Sequence, residues 1–81
     1  MGFLLPNNEQ QNYYQSQEVL EFLSTDEVYY VRRCVADNPN TPQETLQVLA
    51  TDKNYDVRYW VAKNPNATEL IRRLVLMKGL P

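Results

Sequence analysis

The chain has no histidine, one cysteine and two glycines in 81 residues. Without histidine there is no imidazole to serve as a base, and no His-ligated zinc site can form. Cys34 alone cannot close an intramolecular disulfide or assemble a Cys-rich zinc or iron–sulfur site. That cysteine usage points to a reducing compartment, so a cytoplasmic location is expected. Two glycines leave no Gly-rich loop to cradle a phosphate. Long apolar runs are also missing, and nothing approaches the roughly 20 residues of a membrane span. The opening MGFLLP has no positive side chain, and its apolar triplet stops at Pro6, so no secretory leader is expected. Pro6 also stands where a myristoylation signal needs Ser or Thr. Asn66-Ala67-Thr68 fits the N-glycosylation pattern but lacks the secretory route that would use it.

The composition that remains is that of a small globular domain, 43% hydrophobic and 22% charged. Its organisation is repetitive. At an offset of 26 residues, 17–40 and 43–66 agree at 14 of 24 positions. The shared pattern has two parts: QE-x-L-x-x-L-x-TD, then Y-x-VR-x-x-VA-x-NPN. A partial third copy follows at an offset of 25, where Glu69, Ile71 and Leu74 fall on Glu44, Leu46 and Leu49.

Both parts read as helices. Leu46, Leu49 and Ala50 share one helical face, as do Val31, Cys34 and Val35, and Val57, Trp60 and Val61. Pro39 and Pro65 force Asn38 and Asn64 out of helical geometry, which makes each NPN a corner. Thr41 with Glu44 reads as a capping box around Pro42, and Asn66 with Glu69 repeats it. Ser16, Asp26 and Asn54 are further N-cap candidates, and Gly79 closes the last helix. The expected architecture is an all-α domain over 13–81 with helices near 16–25, 27–37, 42–51, 55–63 and 67–78. Residues 1–12, rich in Asn and Gln, are expected to form a flexible segment.

The pattern D-x-x-x-x-VR-x-x-VA-x-NPNTP-x-x-x-L-x-x-LA, from Asp26 to Ala50, resembles the variant leucine-rich repeat family. The second copy keeps VR, VA and NPN but has Ala67-Thr68 in place of Thr-Pro. The resemblance covers roughly residues 17–76, and HEAT-like repeats share the D-x-x-x-x-VR pairing. It implies a short right-handed solenoid of about two and a half repeats, with one row of helices either α or 3₁₀. Some members carry an iron–sulfur cluster in a separate Cys-rich segment that has no counterpart here. The family offers no catalytic residues to carry over.

Three sets of residues invite a functional reading. Arg32 and Arg58 each follow Asp26 and Asp52 by six positions. The structural reading is a ladder between repeats, since a planar guanidinium suits buried carboxylates and carbonyls. The functional reading is a pair of ligand-binding arginines. Cys34, between apolar neighbours, reads as a small buried hydrophobe rather than a nucleophile. Finally, TELIRRLVLMKG is too apolar for a terminal cap, with more apolar positions than one helical stripe holds. Leu70, Ile71, Leu74, Val75 and Met77 are therefore candidate contacts for a partner, with residues 1–12 folding back over them as the alternative.

Charge is unevenly distributed. Residues 1–52 carry a net −6 and residues 53–81 a net +4, which together give the chain's −2. No nucleophile–base pair, cofactor motif or metal-ligand set accompanies these features. The expected function is a non-catalytic protein–protein interaction or scaffolding module, self-associating as a homodimer through the C-terminal helix. No metal, cofactor or membrane is expected to take part. The alternative is a nucleic-acid interface built from Lys53, Arg58, Tyr59, Lys63, Arg72 and Arg73, with basic side chains and stacking rings interleaved. A sequence pI near 4.9 argues against it.

Overall fold

The computed structural model describes residues 16–79. The expected N-terminal segment 1–12 lies outside the described residues, and so does any folding of Phe3, Leu4 and Leu5 onto the last helix. Among the described residues there are five α-helices and no strand: α1 (Gln17–Leu23), α2 (Tyr29–Asp37), α3 (Gln43–Leu49), α4 (Tyr55–Lys63) and α5 (Glu69–Lys78). All fall within about two residues of the boundaries read from the repeat. Both rows are α-helical rather than 3₁₀.

The repeat is a register in space as well as in sequence. α2 packs on α4, and α3 packs on α5, while each helix also touches its neighbours in the chain. The core is a file of residues taken from equivalent positions: Leu20, Leu46 and Ile71 in one row, Val35 and Val61 in the other, with Leu49, Val57 and Val75 between them. Each short helix is only two or three turns long, too short to persist alone in water. Burial of one face against the next repeat is what keeps it folded.

Asn38 and Asn64 have extended backbone angles, as the following prolines require, and each ends its helix with its N–H on the carbonyl three residues back. The corner is then fastened differently from the capping boxes expected at its far side. Pro42, not Thr41, occupies the N-cap position of α3, and it makes no side-chain cap. Thr41 is fully buried, and its hydroxyl donates backwards to the Val35 carbonyl at 2.6 Å, tying the new helix to the end of the old one. In the next corner Thr68 caps α5 by accepting from the Ile71 N–H at 3.2 Å, and Asn66 does not cap. Asn54 does cap α4, accepting from Asp56 and Val57 N–H. Asp26 does not cap α2: its carboxylate accepts from the Val28 N–H at 2.8 Å, and Val28 is the N-cap. Ser16 stands at the N-cap of α1 without a side-chain bond. Gly79 ends α5 at φ 117°, a left-handed value that a side chain would strain.

The Thr41 hydroxyl can be tested directly. Thr41→Val keeps volume and shape but removes the donor. It should lower the unfolding free energy by about 1 kcal/mol, because Val35 O retains the Asn38 N–H. Thr41→Ser should restore the bond. Urea unfolding of both variants reads the difference.

Cys34 departs from the expected burial. It is exposed, while its counterpart Trp60 packs against the core. In place of a ring, an open apolar groove of about 300 Å³ lies along α1 and α2, lined by Leu20, Leu23, Tyr30, Val31, Cys34, Val35 and Asn38. The cause is position: α4 has α2 beside it, whereas among the described residues no helix lies on that side of α2.

Candidate functional site

The two arginines of the repeat are both buried and bonded within the fold. Arg32 is buried, and its guanidinium faces Asp52 of the following repeat. Nε donates to one carboxylate oxygen at 2.8 Å and Nη2 to the other at 3.1 Å, a bidentate fork. Nη1 turns back to the Asp26 and Glu27 carbonyls at 2.8 and 3.1 Å. The bond to Asp52 raises the Arg32 pKa above its ordinary value, against the opposing effect of burial. Arg58 repeats half of this. Its Nη1 donates to the Asp52 carbonyl at 2.6 Å, but its Nε meets the Gly79 carbonyl at 2.9 Å where Arg32 meets a carboxylate. Among the described residues no carboxylate pairs with Arg58. Asp26 and Asp52, identical in the repeat, therefore differ in role. The Asp52 side chain bridges two repeats, whereas Asp26 contributes its carbonyl to Arg32 and its carboxylate to a local turn.

A second ladder runs through the corners. The Asn64 amide, 2% exposed, donates to the Ala36 and Asn38 carbonyls at 2.8 and 2.9 Å, and its oxygen accepts from the Asn66 N–H at 2.7 Å. Asn66 donates to the Thr41 carbonyl at 2.9 Å. The second NPN thus holds the first and satisfies carbonyls left free at the end of α2. Beyond the second NPN Arg72 takes over this task. It donates to Ala62 O and Asn64 O at 3.1 and 3.2 Å, the positions 26 residues beyond those that Asn64 bonds. The asparagine contacts were signalled in the sequence only by the exact recurrence of NPN.

Of the five candidate contacts on α5, Ile71 and Val75 are core residues and not surface. Leu74 is half-buried against the core. Leu70 and Met77 are exposed, and Leu76 joins them, with Met77 exposed by 82%. The apolar surface of α5 is therefore narrower than the composition of the helix suggests, and its members are in part different.

The six residues of the nucleic-acid reading do not form one free surface. Arg58 is buried, Arg72 is bound to two carbonyls, and Arg73 pairs with Glu69 at 2.9 Å. Tyr59 carries Lys63 over its ring at 5.5 Å and meets Trp60 edge-on at 5.4 Å. Arg33 lies over Trp60 and Tyr30 at 5.0 and 5.5 Å and pairs with Asp56 at 3.3 Å. These cations and rings satisfy one another across α2 and α4. Lys53 takes part in neither ladder and lies exposed on the surface.

Among the described residues no cluster of three or more His, Cys, Asp or Glu is placed to hold a metal ion. No helix there is long and apolar enough to cross a membrane. A family model described as the Leucine Rich Repeat Variant domain matches residues 32–74, more than half of the chain. Comparison with curated proteins and with solved structures found no match.

Proposed function

The chain belongs to the leucine-rich repeat variant family, and from that premise we propose that it is a non-catalytic protein-interaction module that self-associates through the exposed flank of α5. The observation that carries this reading is the surface of that helix. α5 seats Ile71 and Val75 in the core, yet it still exposes Leu70, Leu76 and Met77. Exposed apolar side chains on α5 favour a partner that removes them from water, at roughly 25 cal/mol per Å². The polar machinery of the domain supports a non-catalytic role, because its buried arginines and asparagines are spent on joining repeats.

Met77→Glu tests the contact without touching the core. The variant should keep the wild-type helical circular dichroism and sediment as a 9.5 kDa monomer at micromolar concentrations, where the wild type sediments as a larger species. A wild type that stays monomeric there would overturn self-association.

A further inference from the structure

Self-association through α5 still requires a surface for α5 to meet. A second α5 is a poor choice, because it would set Arg72, Arg73 and Lys78 against their own images, and like charges brought together at an interface cost several kcal/mol. The opposite character lies elsewhere on the same row of helices. Between α1 and α3 runs a groove formed by two adjoining hollows of about 330 and 260 Å³ that share Glu21, Glu44 and Thr45 as lining. Glu18 also lines it, and none of these three glutamates pairs with a cation among the described residues. Beside them stand two exposed apolar side chains, Phe22 on α1 at 76% and Val48 on α3 at 66%. The offset of 25 places Arg72 and Arg73 of α5 at the positions that Gln47 and Val48 hold on α3. One row of helices therefore passes from acidic to basic along its length, with apolar knobs at both ends.

We infer that this row is the self-association surface, and that a second copy docks on it antiparallel, its basic α5 against the acidic α1–α3 groove. The inference rests on the self-association proposed above and names the face that α5 meets. Two-fold symmetry makes the match twice: each copy offers one acidic and one basic end, so both charge contacts form in a closed pair. Phe22 and Val48 of one copy then cover apolar side chains of α5 in the other. The Arg73–Glu69 pair is solvent-exposed and worth little, so Arg73 can exchange it for the partner's glutamates at small cost.

Charge reversal in the full chain tests this. Arg73→Glu and Glu21→Arg are both changes at exposed positions, and circular dichroism checks that each variant folds. Each alone should weaken self-association in sedimentation equilibrium by more than about tenfold, since the reversed contact occurs twice. The double variant should recover most of the loss. Wild-type association should also weaken between ionic strengths of about 0.01 and 1 M, over which the screening length falls from about 30 to about 3 Å. If the wild type associates and Met77→Glu abolishes it, yet both reversals leave it unchanged, the acidic groove is not the seat of α5 and the inference fails while the α5 contact stands. If the wild type is monomeric throughout, self-association itself fails and takes the inference with it.

Discussion

Asp52→Ala should lower the unfolding free energy by about 3–5 kcal/mol, whereas Asp26→Ala should cost about 1 kcal/mol or less. The two aspartates occupy the same position of the repeat, so the contrast comes from what surrounds them. Removing the Asp52 carboxylate leaves the Arg32 guanidinium buried, with two of its three bonding nitrogens deprived of their partner. It also frees the Asn54 N–H, which that carboxylate accepts at 2.8 Å. Removing the Asp26 carboxylate loses only the turn bond from Val28, because Arg32 reaches Asp26 through its backbone carbonyl, which alanine keeps. At roughly 0.05–0.15 kcal/mol per residue, a chain of 81 residues holds about 4–12 kcal/mol in all. The first substitution therefore takes a large share of the stability, and the second leaves the fold intact. Urea unfolding measures both, and equal midpoints for the two variants would show that the inter-repeat fork carries no special weight.

The same pair shows where a sequence reading succeeds and where it stops. The number of helices, their ends and the NPN corners were legible because they depend on local rules: apolar spacing, the effect of proline on the residue before it, and the offset of 26. The partner of Arg32 was not fixed by those rules. Asp26 is six residues away in sequence, Asp52 is 20, and only the packing of one repeat on the next decides between them. Thr41 misled for a related reason. Thr-Pro-x-Glu has the residues of a capping box, but the turn buries the hydroxyl over the end of α2, where it donates to the Val35 carbonyl, and α3 begins at Pro42 without a side-chain cap. On α5 the sequence showed that there were more apolar residues than one stripe needs, but not which ones the core would claim. Burial of Ile71 and Val75 follows from their register with Leu46 and Ala50, and that register, once applied, leaves Leu70 and Met77 outside.

Cys34 and Trp60 illustrate a further limit. They hold equivalent positions in the repeat, so their sequence context is nearly the same, yet one is exposed and the other packs against the core. Position along the array sets the environment. Trp60 has a neighbouring repeat to cover it, whereas among the described residues no helix lies beyond α2 to cover Cys34. Arg72, which stands where α3 has Gln47, bonds the Ala62 and Asn64 carbonyls, the positions 26 residues beyond those that Asn64 bonds.

That corner-to-corner bonding makes Asn64 the second position of large effect. Asn64→Ala should cost about 2–4 kcal/mol, against about 1 kcal/mol for Asn38→Ala. Asn64 loses three contacts in a buried site: two donations to α2 and its end, and one acceptance from Asn66. Among the contacts in the described residues, the Asn38 side chain accepts only from the Asn40 N–H, at an exposed turn. Asn64→Asp separates donation from mere shape, because it keeps the acceptor for Asn66 but replaces the amide donor with an oxygen facing two carbonyls. Burial and those carbonyls disfavour the charged form, so the introduced carboxyl should titrate above the ordinary aspartate value of about 3.9 when folded. The folded variant then binds a proton more readily than the unfolded chain. Its deficit relative to wild type should be full above that raised pKa and should shrink as pH falls through it, since the protonated group donates to one carbonyl again. Comparing each variant with wild type at the same pH removes any pH dependence that the two proteins share. A deficit for Asn64→Asp that does not change between pH 7 and pH 4 would mean that the two carbonyls do not depend on the amide, and that the recurring NPN serves the turn alone.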